Sequence, residues 1–176
     1  MKGKCEKSLE EVDRLVDIPH EDPILKTFIL FVQTADAVLK YADTLFYKKA
    51  GLSVIKFVVL QILATNRGTM IPSEVARWTL RERHSITTLV DRMKRDGLVT
   101  AERSDRGRRF VSITLTDKGR KVLTQATPVA REIVNQAMLS ITEGDAILLE
   151  RLLRVLRQNA HRGLEQVAKR SQPQPH

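Results

Sequence analysis

The chain has 176 residues, of which 42% are hydrophobic and 29% charged, and its formal net charge is +9. This composition is typical of a globular protein, and a membrane span is excluded because no uninterrupted apolar run approaches roughly 20 residues. The single cysteine, Cys5, permits neither an internal disulfide nor a cysteine metal cluster, and no secretory signal is recognisable at the start. We therefore expect a cytoplasmic protein, and the positive charge favours a polyanionic partner.

The first long helix is predicted at residues 21–50, and residues 1–20 and 171–176 are predicted to be tails. Pro23 suits the first turn, where the missing backbone N–H costs nothing. The apolar residues of this helix are Leu25, Phe28, Ile29, Val32, Ala35, Leu39, Ala42 and Leu45. Their spacing of three and four positions predicts an amphipathic helix.

Residues 51–118 open with three further predicted helices. Ser53 is expected to cap the first of them, which ends before a loop at 66–70. The apolar side of that helix is formed by Ile55, Val58, Val59 and Ile62. Two short helices follow at Pro72–Trp78 and His84–Arg95, and a glycine stops the second. Two short helices joined by a tight turn are typical of a helix-turn-helix.

A β-hairpin is predicted next, because the periodicity changes to alternation and β-branched residues. Its strands are Leu98–Arg103 and Arg109–Leu115, joined by residues 104–108. The tip carries three guanidinium groups, on Arg106, Arg108 and Arg109. A basic loop of this kind can reach phosphates or enter a narrow minor groove.

Two more helices are predicted within residues 119–170. Thr116 is expected to cap the first, which is kinked at Pro128, and Thr142 with Asp145 forms a capping box for the second. Long apolar stripes at both ends of the chain exceed what the small central unit can cover, which favours a homodimer; packing within one chain is the alternative. The predicted fold is mainly α with a small β-hairpin wing, a winged helix-turn-helix flanked by N- and C-terminal dimerisation helices.

The helix at 84–95 is predicted to read double-stranded DNA. Its inward residues are Ile86, Leu89, Val90 and Met93. The side chains left for DNA are Arg83, His84, Ser85, Thr87, Thr88 and Arg92. A helix with one apolar face and one face of short polar and basic side chains fits a major groove, although an ordinary solvated face has a similar composition.

The central sequence resembles the MarR family of winged helix-turn-helix regulators. The matching motifs are PSEVAR at 72–77, SITTLVDRM at 85–93, GLV at 97–99 and LTDKG at 115–119, and residues 52–60 look like the second helix of the family. The resemblance covers roughly residues 52–119 by motif and the rest by layout. It implies a homodimer in which the first, fifth and sixth helices form the base and two fourth helices read a palindrome.

The resemblance also assigns individual residues. It places Arg109 at the wing arginine and Ser73 near a helix start that meets phosphate. The residues of the fourth helix that it places against bases and backbone are Arg83, His84, Ser85, Thr87 and Thr88. Many family members release DNA when a small aromatic or phenolic acid enters a cleft. Phe46, Phe57 and Trp78 are candidates to line such a cleft, and plain core packing is their alternative explanation.

Three positions depart from the family pattern. Gly107 stands where the family has an aspartate that braces the wing arginine, a role open to Asp105. Thr79 and Arg81 occupy a turn that is usually apolar, and Glu82 replaces an aspartate as the cap of the fourth helix. Glutamate is a poorer helix cap than aspartate.

No catalytic residues, metal ligands or cofactors are predicted, since nucleophile-elbow, phosphate-loop and zinc-protease motifs are absent from the sequence. His161 with Glu165, four residues apart, and His20 with its acidic neighbours are weak metal candidates that are better explained as solvated surface.

The sequence therefore predicts a DNA-binding transcriptional regulator, a repressor by expectation, whose release from DNA a small molecule controls. Two alternatives remain open. A non-specific architectural DNA-binding protein would share the charge, and a winged helix can also contact acidic proteins or membranes.

Overall fold

The computed structural model describes residues 21–103 and 111–170. Its elements in chain order are α1 (Pro23–Ala50), α2 (Val54–Thr65), β1 (Thr69–Met70), α3 (Pro72–Thr79), α4 (Arg83–Arg95), β2 (Val99–Arg103), β3 (Val111–Leu115), α5 (Asp117–Ala137) and α6 (Glu143–Arg170). The chain divides into two compact units, Met1–Ala137 and Met138–His176. The mainly helical fold with a small sheet agrees with the prediction. None of the described helices is both long and apolar enough to span a membrane.

Helix α1 begins and ends as its sequence predicts. The Asp22 carboxylate accepts hydrogen bonds from the backbone N–H of Ile24 at 2.8 Å and of Leu25 at 3.3 Å. Pro23 occupies the first turn, and Gly51 ends the helix with a left-handed φ of 59°. Asp22, one of the two acidic residues that follow His20, is thus a helix cap, which accounts for it without a metal.

Helix α2 differs from the prediction in its cap and in its buried face. Ser53 occupies the capping position, but its side chain forms no capping hydrogen bond; Asp43 of α1 instead accepts from the Val54 N–H at 2.8 Å. Of the predicted apolar side only Val59 is fully buried, while Leu60 and Leu63 were not predicted and have no exposed surface. Because nearly every residue of α2 is apolar, periodicity could not select its inner face.

The sheet has three antiparallel strands in the order β1-β3-β2 rather than the two of the predicted hairpin. Strand β2 pairs with β3 from Val99 opposite Leu115 onward, which confirms the hairpin. Strand β1 pairs Thr69 with Thr114 in a segment predicted to be a loop. Strand β1 has only two residues, which are too few to show an alternating pattern, and it is a strand only because it pairs with the distant β3.

The core of the first unit lies where α2, α3, α4 and the sheet meet. Its fully buried large side chains are Val59, Leu60, Leu63, Val75, Ile86, Met93 and Ile113. Helix α5 adds Leu123, Ala126, Val129 and Ile133 to the core, and it continues past Pro128 to Ala137. Its predicted cap is present, because the Gly119 N–H donates to the Thr116 hydroxyl at 2.9 Å.

The second unit consists mainly of α6, which starts at the predicted capping box. The Asp145 N–H donates to the Thr142 hydroxyl, and the Thr142 N–H donates to the Asp145 carboxylate, both at 3.2 Å. The Thr142 hydroxyl also donates to that carboxylate at 2.6 Å, and these hydrogen bonds lower the pKa of Asp145. No described side chain of α6 is fully buried, and apart from the half-buried Leu156 its large apolar residues remain 39–67% exposed from Leu149 to Leu164.

Candidate nucleic-acid interface

Helix α3 presents Ser73 in its exposed first turn. The Glu74 carboxylate accepts a hydrogen bond of 3.1 Å from the Ile71 N–H. Isoleucine has no side-chain acceptor to return the bond, so only the glutamate half of a capping box forms. The Ser73 hydroxyl makes no hydrogen bond to other described residues and lies at a helix start whose dipole favours anions.

The turn between α3 and α4 is closed around Leu80, which has a left-handed φ of 53°. The Arg81 N–H donates to the Ala76 carbonyl at 3.0 Å, the bond that spans a Schellman helix end. The Thr79 hydroxyl donates to the Val75 carbonyl at 2.8 Å. The two polar residues that depart from the family pattern are therefore compatible with a tight turn.

Helix α4 starts without a side-chain cap. Glu82 is at the capping position, but its carboxylate accepts no bond from the first-turn N–H groups. Its backbone carbonyl accepts from the Ile86 N–H at 3.2 Å, as a helix start requires. This agrees with the poor capping expected of glutamate.

The two faces of α4 are separated as predicted. Ile86, Val90 and Met93 are buried, and Leu89 is half-buried. On the other side Arg83, His84, Thr87, Thr88 and Arg92 are exposed and Ser85 is half-buried. The hydroxyls of Thr87 and Thr88 donate to the carbonyls of Arg83 at 3.1 Å and His84 at 3.2 Å.

Two open depressions flank α4. One, of about 420 Å³, brings Ser73 of α3 together with Arg83, Thr87 and Lys94 of α4. The other, of about 310 Å³, holds His84, Ser85, Thr88 and Arg92 beside Arg81. The structure thus divides the candidate DNA-contacting residues between the two sides of one helix. Sequence analysis missed Lys94, although it follows Arg83 by eleven residues and so shares its side of the helix.

The end of α4 is joined to α2 and α5. Asp96 pairs with Lys56 of α2 at 2.6 Å, and its carbonyl accepts from the Lys118 ammonium at 2.7 Å. Gly97 follows with a φ of 72°, and its carbonyl accepts from the Thr116 hydroxyl at 2.8 Å. These bonds hold α4 at a fixed place against its two neighbouring helices.

The remaining basic candidates belong to the hairpin tip. Arg106, Arg108 and Arg109 lie outside the described residues, as do Asp105 and Gly107. Strands β2 and β3 lead into this segment from both sides, so the framework that would carry a wing is present.

The three aromatic candidates for a ligand pocket are in two different places. Phe46 is 3% exposed and its ring lies 4.7 Å from that of Phe57, centroid to centroid. Trp78 is 61% exposed and lines a separate, mostly polar depression with Arg67 and Arg77. The structure pairs the two phenylalanines in the core and leaves the tryptophan on the surface.

The metal candidates find no support in the described residues. No three His, Cys, Asp or Glu side chains come together anywhere in residues 21–103 and 111–170. His161 and Glu165 are both exposed on α6. His20 and Cys5 fall outside the described residues.

Comparison with known proteins identifies the family. The sequence model of the MarR family matches residues 50–109. The transcriptional regulator BldR from Sulfolobus solfataricus is 30% identical, with a TM-score of 0.66 over 80% of this chain and 99% of that one. The chain belongs to the MarR family. The resemblance drawn from the motifs is therefore confirmed, and this MarR chain is a transcriptional regulator rather than an enzyme.

Two further relatives of this MarR chain are informative. The transcriptional repressor IacR from Pseudomonas putida is 32% identical over 112 residues, which are 64% of this chain and 66% of that repressor. The organohalide-sensing transcriptional regulator RdhR, solved in its 2,4-dichlorophenol-bound form, is 26% identical. Its TM-score is 0.72, and the match covers 82% of this MarR chain and 88% of RdhR.

Proposed function

We propose that this protein is a repressor that binds double-stranded DNA in a sequence-specific manner, with α4 in the major groove. The observation that carries the proposal is the outer face of α4. Arg83 and Lys94 on one side of α4 and Arg92 on the other are exposed, and none of the three has an ion-pair partner among the described residues. Unpaired guanidinium and ammonium groups on both sides of the helix supply the charge that phosphates require.

The remaining site residues belong to the same proposal. Ser73 and Arg83, which share one depression, are assigned to backbone phosphates on one side of α4. His84, Ser85 and Thr88 are assigned to base edges, and Arg92 to bases or phosphate on the other side. The wing arginines Arg106, Arg108 and Arg109 are assigned to the adjacent minor groove.

We propose in addition that the protein acts as a homodimer on a palindromic operator. Along α1, Leu25, Phe28, Val32 and Leu39 are 38–53% exposed and lie on one side of the helix. Helix α6 exposes its own apolar side chains. Such stripes exceed what a monomer normally leaves in water, and a second copy of the chain would cover them. Sedimentation at micromolar protein should give a dimer, and Phe28→Glu should shift it to monomer.

An effector of aromatic or phenolic type is the last part of the proposal. The 26%-identical regulator RdhR was solved with 2,4-dichlorophenol bound, which supports a ligand of that class here. The ring contact between the buried Phe46 and the half-buried Phe57 supports core packing for these two residues rather than direct ligand contact. Because Trp78 is the only tryptophan of the chain, its fluorescence would report a phenol bound near it.

The decisive experiment is selection of the purified protein on a pool of random duplexes, followed by sequencing of the retained DNA. A two-fold symmetric motif with half-sites one helical turn apart is expected, since two recognition helices would enter successive major grooves. Retention without a motif would support an architectural protein instead. No retention at low salt would contradict DNA binding altogether.

A further inference from the structure

Thr88 occupies the centre of the outer face of α4. At about 100° per residue, it points roughly 140° to 160° away from each of the buried side chains Ile86, Val90 and Met93. Its nearest neighbours on that face are His84, one turn earlier, and Arg92, one turn later. If α4 lies in a major groove, Thr88 is among the side chains closest to the floor of the groove.

The hydroxyl of Thr88 is already engaged within the helix. Its Oγ1 donates to the His84 carbonyl at 3.2 Å, the i−4 bond that threonine commonly forms in helices. The hydroxyl proton is therefore turned back to the backbone, which leaves the γ-methyl group and the acceptor side of the hydroxyl oxygen to face a ligand. Thr87 forms the same bond with Arg83, but it lies about 100° to one side, in the depression with Ser73.

An outward methyl group has one chemical counterpart in the major groove. Only thymine presents an apolar group there, its C5-methyl, and a threonine methyl is one of the groups that contact it. We propose that the Thr88 methyl group reads a thymine C5-methyl in each half-site. This inference rests on the proposed function and assigns one specificity-determining contact within it.

The test separates the methyl group from the hydroxyl. Thr88→Val keeps the methyl group and removes the hydroxyl, whereas Thr88→Ser does the reverse. Each variant is measured by fluorescence anisotropy on the selected duplex and on duplexes in which one thymine at a time is replaced by deoxyuridine. Thr124→Val is the matched control for loss of an exposed i−4 bond, since the Thr124 hydroxyl donates to the Arg120 carbonyl at 3.0 Å on α5.

One thymine per half-site is expected to be sensitive to deoxyuridine. Replacing it should weaken binding about fourfold for the wild type, for Thr88→Val and for Thr124→Val, the factor that corresponds to burying one methyl-sized group. For Thr88→Ser the two duplexes should bind equally.

Three results would overturn the inference. The wild type could bind all deoxyuridine duplexes as well as the parent, Thr88→Ser could retain the discrimination, or Thr88→Val could lose binding because the hydroxyl is the reading group. In each of these cases a selected motif still exists, so the proposed function stands. Absence of any motif in the selection would instead overturn the proposed function, and the thymine contact with it.

Discussion

Replacing Gly119 by alanine should destabilise the protein, although the same change in most helices is stabilising. Glycine costs about 0.8–1.0 kcal/mol relative to alanine in a helix interior. At Gly119, however, an added Cβ would lie 2.2 Å from the Leu98 carbonyl oxygen and 2.7 Å from Cδ1 of Leu115. The first of these atoms belongs to the backbone of the segment that leads into β2, so it cannot rotate away.

The change in the free energy of unfolding follows from the steric clash and the gain in helix propensity. Overpacking of a well-packed site costs about 1–3 kcal/mol, and a backbone clash belongs at the upper end. After the helix-propensity gain is subtracted, a net loss of about 2 kcal/mol remains. For a chain of this length, that loss lowers the melting temperature by about 4–8 °C.

Gly163 provides the matched control. It also lies within a helix, α6, but an added Cβ there has no atom within 4 Å. Gly163→Ala should raise stability by about 0.5–1 kcal/mol. Thermal unfolding of the three proteins would be compared by circular dichroism at one fixed protein concentration, because association shifts the midpoint. A Gly119→Ala protein at least as stable as wild type would refute the reasoning.

Three other predictions concern the second unit, the interface and the core. Thr142→Ala removes the side-chain hydrogen bond that lowers the pKa of Asp145 most and keeps the backbone one, so an NMR titration should show that pKa rising part of the way toward its ordinary value. Because the Asp145 pKa is lowered in the folded state, the ionised carboxylate stabilises α6 at a pH above the ordinary aspartate pKa, and this stabilisation is lost as the pH falls through the folded-state pKa. The acid-dependent loss of stability should be smaller in the variant. An Asp145 titration identical to that of the wild type would contradict the prediction. Arg92→Ala should weaken operator binding by about 1–3 kcal/mol, or lower the slope of the salt dependence by about one if Arg92 contacts phosphate. If neither effect is observed, Arg92 does not belong to the interface. Ile86→Ala, at a fully buried position, should cost about 2–5 kcal/mol in urea unfolding, and a loss below 1 kcal/mol would argue against the packing of α4.

The sequence identifies elements well where a local signal exists. Asp145 behind Thr142 fixes the start of α6, and the spacing of Ile86, Val90 and Met93 fixes the inner face of α4. Both are properties of a few adjacent residues, and the folded structure reproduces both. The exposed side of α4, which is the proposed DNA-contacting face, could therefore be predicted as the complement of its buried side.

The sequence-based predictions are wrong or incomplete where the structure of a segment depends on a residue or strand that is distant in sequence. Ser53 loses its capping role to Asp43, which approaches from the preceding helix. Thr69 becomes part of a strand only because β3, more than 40 residues later, offers a free edge. The grouping of Lys94 with Ser73 likewise depends on how α3 and the sheet pack beside α4.

The contacts between the end of α4 and the start of α5 predict the outcome of a genetic screen. Thr116 bonds to the carbonyl of Gly97, and Gly119 lies against Leu98, so neither helix end can shift without displacing the other. A screen for mutants that no longer occupy the operator should therefore recover substitutions at Thr116 and Gly119 as well as in α4. Such mutants would keep every exposed side chain of α4 and still misplace the helix that carries them.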